Sequence, residues 1–469
     1  MKKSNKLYIL LSSVVLMLTF GCKKFSDVPP ASNIMNAQAV FATDGGVSNA
    51  IAGMYMNAYM NSLNVFQSNI ALCPGLSADE LTYTGTNTTY EPFFRNQLAP
   101  NNGTVRELWT AFYKSIYLAN TLIEGVGANE KVLTPAMAST AKGEGLFMRA
   151  FCHFYLTNIF GDVPLVLTSD PYTNNVLPRE LQAKVYEQII ADLKAATELL
   201  PPDYSASATK QRFRANKYAA SALLARVYLY TGQWALAESA SSTVIGAKDL
   251  YKLMPAADIA KVFYKNSPET IWQMNGSTGA SSTFNGYNAL AFSFVDYVPL
   301  LALTNEMENS FSPEDLRFQN WTAPAEDDGK VYRVPFKYRN LYTTTTATGE
   351  GYTYLRLAEQ FLIRAEAKAQ LGADLTGAKA DLDTVRTRAG LNKSSAANKA
   401  DLLLAIENER KLELFTEVGH RWFDLKRTHR ATAVLGAKPG WQDYKVLYPL
   451  PTVELSNNSH LKQNEGYSK

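Results

Sequence analysis

The sequence predicts a mostly α-helical protein, a helical-repeat scaffold interrupted by long irregular loop excursions. Apolar and aromatic residues recur at helical spacing through most of the chain. Two segments far apart each read as helix, glycine-bearing turn and helix, with alanines where helices must approach closely. Between the helical stretches the composition shifts twice towards Gly, Ser, Thr, Asn and Tyr.

In chain order, residues 1–21 read as a secretory leader. Lys2, Lys3 and Lys6 supply a positive start, and Ile9 to Phe20 supply an apolar core too short to span a bilayer. Leu18-Thr19-Phe20-Gly21-Cys22 resembles a lipobox, with Thr19 where leucine is usual, and makes Cys22 the acylated N-terminus of a membrane-anchored chain. An ordinary secreted protein cut near Gly21 is the competing reading. Residues 22–40, with Pro29 and Pro30, form a tether.

Residues 41–250 form a first helical region. Trp109, Tyr113, Ile116, Asn120 and Ile123 share one helical face, and Leu146 to Ile159 is a helix closed by Phe160-Gly161-Asp162 before the extended Val163-Pro164. Tyr218 to Tyr230, Thr231-Gly232-Gln233 and Trp234 to Val244 resemble a tetratricopeptide unit. A polar and aromatic stretch, Leu81 to Asn102, interrupts these helices, and residues 251–353 are expected to be loops that carry a ligand site. Residues 354–469 return to helix, with Leu357 to Leu371, Gly372 and Leu375 to Arg388 as a second unit. Each unit leaves an apolar face uncovered alone, so the units are expected to stack.

Composition narrows the function. The net charge of +3 falls to zero once the three leader lysines are removed, and no basic run tracks phosphates, so nucleic acid is excluded as a partner. Cys73 and Cys152 are too few for a disulfide framework, although a single bridge between them is open. His153, His420, His429 and His460 are scattered without ligand spacing, and no nucleotide or nucleophile motif occurs, so no metal or cofactor is expected.

Several segments together resemble the SusD/RagB family in order and span. They are CKKFSDVPP after the lipobox, AIAGMYMNAY, LSADE ending at Glu80, WTAFYKSIYLANTLI from Trp109 and GEGLFMRAFCHFYLTNIFGDVPLVL from Gly143. KYAASALLARVYLYTGQW, YLRLAEQFLIRAEAKAQLG, VRTRAGL, ENERKLELFTEVGHRWFDLKR and YPLPTVELSNNSHLKQNEGY complete the series. Phe151-Cys152-His153 and Asn464-Glu465-Gly466 depart slightly from the family pattern. The resemblance implies an outer-membrane lipoprotein on the surface of a Bacteroidetes-type cell, with a SusC-like TonB-dependent barrel as partner. It implies an oligosaccharide as usual cargo, with peptides or protein fragments as the alternative on the same scaffold. Carried over by position, it implies ligand contacts at Asp79, Tyr90, Arg95 and Asn96 in the first excursion and at Tyr287 and Trp321 in the second.

The residues themselves suit that role. A sugar binder needs flat apolar surface for pyranose faces with polar groups around it, and Tyr83, Tyr90, Phe93, Phe94, Tyr287, Trp321, Tyr332 and Tyr342 fall in the excursions. Trp109, Trp234, Trp272 and Trp422 sit in periodic segments and read as core. For catalysis the place to look is Glu409, Arg410, Glu413, Glu417, Arg421, Asp424 and Arg427, whose paired carboxylates would suit a surface hydrolase. The interleaved arginines favour a structural role, because ion pairing depresses the pKa that an acid catalyst needs raised. The expectation is a binder and not an enzyme.

Overall fold

Several of the long helices begin where the sequence offers a cap. In the computed structural model, which describes residues 37–61, 65–85, 89–207, 210–274, 301–339 and 349–468, α1 (Asp44–Met56) starts at Thr43 and is succeeded by two π-helical turns and α2 (Ile70–Ser77). Asn102 accepts the Val105 amide at 3.0 Å and opens α3 (Gly103–Asn129). Thr134, with proline in the first turn, opens α4 (Pro135–Phe160), which ends at Gly161 with φ +78°. Cys22, Tyr287 and Tyr342 lie outside the described residues.

Helix α4 is the central rod, buried almost continuously from Gly143 to Phe160. Two of its glycines allow close packing, since a Cβ on Gly143 would sit 2.9 Å from Leu200 and one on Gly145 2.8 Å from Ile123. Asn120 of α3 is buried, and its amide donates to the Val166 and Thr168 carbonyls at 3.2 and 3.0 Å while its oxygen accepts from Arg149. This explains a polar residue on an apolar face.

Helices α5 (Gln182–Leu199), α6 (Lys217–Tyr230) and α7 (Trp234–Gly246) continue the stack from α4. In the second helix pair, α8 (Leu357–Leu371) and α9 (Leu375–Arg388), α8 packs directly on α7 although the whole mid-chain excursion lies between them. Helix α10 (Lys399–Glu413) covers α8 and α9 over a small core that includes Leu362, Leu382 and Ile406. The two units thus cover each other's apolar faces, as their alanine-rich pattern predicts. Helices α11 (His420–Arg427) and α12 (Ala431–Leu435) return the chain towards α2.

The mid-chain stretch departs from the expected loops. Among the described residues it contains β2 (Thr270–Met274), β3 (Leu301–Leu303), β4 (Thr322–Asp327), β5 (Lys330–Pro335) and β6 (Tyr352–Arg356), and the first excursion contains β1 (Leu81–Tyr83). All three pairings are antiparallel: β1 with β3, β2 with β6 and β4 with β5. Strands β2 and β6 are buried on both faces and so show no alternation to read. The β4–β5 hairpin turns at Asp328 and Gly329, with φ +47° and +73°, the two positive values of a type I′ turn.

One core cluster runs from Phe41 to Leu461 and takes in Trp109, Trp272 and Trp422 as expected; Trp234 is packed against it half-buried. Cys73 and Cys152 are both buried free thiols, which closes the question of a bridge between them. No helix among the described residues is long and apolar enough to cross a membrane.

Candidate ligand-binding cleft

A cleft of about 800 Å³ opens where the first excursion, the hairpin and the segment after α12 meet. Its floor is the end of α2. Lys438 reaches from the C-terminal region and donates to the carbonyls of Leu76 at 2.6 Å, Ser77 at 3.2 Å and Ala78 at 2.7 Å. These are orphan acceptors at a helix end, so a cation there satisfies them and complements the helix dipole. Burial pulls the Lys438 ammonium down to about 8.

Asp79 is next in the chain and lines the cleft. Arg421 donates to both its oxygens, at 2.7 and 2.9 Å, and Lys411 lies 3.4 Å away. Burial alone would raise this carboxyl, but Arg421 and then Lys411 outweigh it and hold it below its ordinary value. Asp79 is therefore an ionised, oriented acceptor.

Two unlike walls rise from this floor. One is apolar and aromatic, from Tyr83 and Phe94 across to Val434, Leu435 and Pro439. The other is polar and belongs to the hairpin and to the single helical turn Asn305–Glu308. On it Lys330 Nζ stands 4.5 Å from the Tyr332 ring centroid, Arg333 lies 3.7 Å from Glu308, and Val331 is 66% exposed. Arg95, paired with Glu91 at 2.7 Å, contributes to the lining of the cleft.

The expected contact residues divide accordingly. Asp79 and Arg95 meet in the cleft. Tyr90 is half-buried, donates to Asn69 at 3.1 Å and is not among the lining residues, and Asn96 is buried with φ +49°. Trp321 corrects the expectation. It is wholly buried, its indole N–H donates to the Ile259 carbonyl at 2.9 Å, and Lys337, Arg388 and Arg356 surround its ring at 4.7, 5.4 and 5.7 Å. The turn Asp315-Leu316-Arg317 folds it inward because Arg317 is itself drawn into a buried ion cluster. Sequence reasoning missed Lys330, Val331 and Arg333, the neighbours of Tyr332 on the hairpin, although the Asp328-Gly329 dipeptide signals that turn.

The acid-rich segment after Lys399 forms that cluster. Arg317 bridges Asp315, Glu409 and Glu413; Arg356 bridges Glu269, Glu413 and Glu417; Lys337 binds Glu417. Burial would raise the Glu413 carboxyl, yet Arg388, Arg356 and Arg317 hold it far below the carboxylate range. Arg410 and Arg427 both grip Asp424, and Arg427 also grips Glu366. Such acids are saturated acceptors, locked between the scaffold and the C-terminal helices.

Residues 25–229 match a family described as starch-binding and associating with the outer membrane, and residues 280–467 match the SusD family. The chain belongs to the SusD family. It is 27% identical to the SusD-like protein P2 of Formosa agariphila, over 97% of this chain and 99% of that one. It is 26% identical to the starch-binding protein SusD of Bacteroides thetaiotaomicron, over 71% and 74% of the two chains. Among solved structures, a SusD superfamily protein from Bacteroides vulgatus matches with a TM-score of 0.76 at 24% identity, covering 91% of this chain and all of that one. A laminarin-binding SusD-like protein matches at 0.71 and 24%, over 89% and 99%. These likenesses show that the helical stack described above is the SusD fold.

Proposed function

We propose that this SusD-family chain is a cell-surface glycan-binding lipoprotein, anchored through Cys22 after removal of residues 1–21, that captures an oligosaccharide and delivers it to a SusC-like TonB-dependent barrel. The observation that carries the reading is the cleft with one aromatic wall and one polar wall. A pyranose has an apolar C–H face and a rim of hydroxyls, each both donor and acceptor. Tyr83 and Phe94 suit the face; Asn305, Glu306, Arg333 and Asp79 suit the rim. Asp79 and Arg95 stay as proposed contacts.

Catalysis has no support in this arrangement. A glycosidase needs one carboxyl kept protonated next to the scissile bond, whereas Asp79 is held ionised by Arg421 and its neighbour Glu80 is buried and not among the residues lining the cleft. Names among the relatives refer to starch and laminarin, which supports a glycan for this chain without naming it.

The test is calorimetric titration of a chain beginning at Lys23 against panels of plant, algal and microbial oligosaccharides and mixed peptides. Saturable binding of one glycan class is the expected result. Binding of peptides alone would replace the reading with the peptide-binding alternative. For delivery, a strain lacking the protein should take up that glycan more slowly at limiting concentration, and unchanged uptake would overturn the transport step.

A further inference from the structure

The cleft's two halves come from distant parts of the chain, and the dipeptide Asp79-Glu80, which leads into the β1–β3 pairing, helps to join them. Asp79 and Glu80 turn their backbone oxygens to one wall: Thr304 Oγ1 donates to the Asp79 carbonyl at 2.7 Å and the Thr304 amide to the Glu80 carbonyl at 3.0 Å. Thr304 in turn caps the Asn305–Glu308 turn, its hydroxyl accepting the Met307 amide at 3.1 Å, and that turn carries Asn305, Glu306 and Glu308 into the cleft. The side chains of the same dipeptide go the other way. Asp79 is held by Arg421, and Glu80 Oε1 accepts the amide of Thr416 at 3.2 Å.

Thr416 belongs to the turn between α10 and α11, where Thr416 and Val418 have φ of +55° and +38°. Such backbone is costly for β-branched residues and persists only where the surroundings fix it. Glu413 and Glu417, on either side of Thr416, are anchored in the ion cluster by Arg356 and Lys337. Glu80 is buried and lies beside the last turn of α2, its Oε2 close to Gly75.

We propose that Asp79-Glu80 is a positioning joint, whose backbone carbonyls hold Thr304 and whose Glu80 side chain, by accepting the Thr416 amide, fixes the Asn305–Glu308 wall of the cleft relative to the C-terminal ion cluster. The proposal rests on the reading of the cleft as the glycan site. The charged groups facing Glu80 are Asp79, Arg421 and Lys337. Burial, and then the Asp79 charge, push the Glu80 carboxyl up to about 8, against the opposing pull of the Thr416 amide, Arg421 and Lys337. At neutral pH it therefore keeps its proton, and its ionisation places a second negative charge beside Asp79 in a site closed to water.

The test compares Glu80→Gln with Glu80→Ala in the chain beginning at Lys23. Glu80→Gln reproduces a neutral acceptor and should keep glycan affinity within about twofold, whereas Glu80→Ala should weaken it about tenfold. Hydrogen exchange supplies a readout that needs no ligand: the Thr416, Thr304 and Met307 amides should exchange faster in Glu80→Ala and as in the parent in Glu80→Gln. Should Glu80→Ala not fold, Thr304→Val removes the hydroxyl bond to the Asp79 carbonyl at the joint's other end, and the Thr416 amide should then exchange faster. Lys438 and Lys337 are also drawn down to about 8 by burial, so the pH readout is the difference between parent and Glu80→Gln. Affinity of the parent should fall more steeply as pH rises through 8. Unchanged exchange in Glu80→Ala and Thr304→Val, or pH profiles that coincide for parent and Glu80→Gln, would overturn the joint. Absence of any glycan binding by the parent would instead overturn the reading of the cleft and leave the exchange result standing.

Discussion

Trp321 and Tyr332 belong to one stretch of chain and share the same company, an aromatic ring with cations against it and carboxylates nearby, yet one is sealed and the other open. Lys337, Arg388 and Arg356 close on Trp321, and their charges are answered by Glu269, Glu413 and Glu417. Lys330 stands over Tyr332 with no acid partner among the described residues, beside a cleft of about 800 Å³. The difference lies in the direction the chain takes around each ring. Helix Leu316–Trp321 ends against the core, whereas the hairpin turns outward on Asp328-Gly329. Aromatic and charged composition therefore does not tell a sealed ring from an open one; satisfaction of the charges separates the two.

The most severe test of this contrast is Glu413→Ala. It leaves Arg317, Arg356 and Arg388 partly uncompensated in the interior, and removing one partner from a buried ion pair costs ~3–5 kcal/mol. Urea denaturation should show that loss, and a change within experimental scatter would mean that water reaches the cluster. Next is Trp321→Ala, at about 3 kcal/mol, the lower end for a large aromatic because the stems of three long cationic side chains collapse into part of the void. Its effect on glycan affinity should track the unfolded fraction only. Selective loss of affinity with an unchanged melting curve would return Trp321 to the binding site.

The fold was legible because its signals are local and repeated. Gly232 and Gly372 mark the turns of the two helix pairs, both with positive φ, and the alanines of α6 and α8 mark close approach. Gly161 closes α4 where the pattern ends. The candidate cleft was only partly legible, because it depends on pairings between distant segments. Asp79 and Arg95 stand in the cleft, but nothing local to Asp79 announces that Arg421 will claim both its oxygens. Trp321 read as a loop aromatic because Arg317, four residues before it, is drawn inward by acids 92 and 96 positions later. Glu409, Glu413 and Glu417 all lie in the buried ion cluster; α10 ends at Glu413, and Glu417 joins the cluster from the turn beyond.

On the open side, Tyr332→Ala should weaken glycan binding about tenfold, or ~1.4 kcal/mol, the scale of a contact aromatic at a binding surface. Its melting curve should stay within about 0.5 kcal/mol of the parent, as for surface changes generally. Titration and thermal melts on the same preparation give both numbers. A large loss of stability without loss of binding would show that Tyr332 is packing and not platform.

A smaller effect is expected at the turn that aims Tyr332. Gly329 has φ +73°, and a Cβ added there meets nothing within 4 Å, so Gly329→Ala carries no clash and the cost is conformational alone. Holding alanine in the left-handed region costs about 1 kcal/mol. Gly329→Asn should recover most of it, because asparagine tolerates that region through local hydrogen bonding. Both residues have a Cβ, so the pair separates backbone preference from side-chain presence. Because the turn aims the wall, Gly329→Ala should also speed amide exchange across β4 and β5, and Gly329→Asn should not. Equal exchange in the two variants would mean that the hairpin is held by its contacts with β3 rather than by its turn, and that Tyr332 is aimed from the cleft floor.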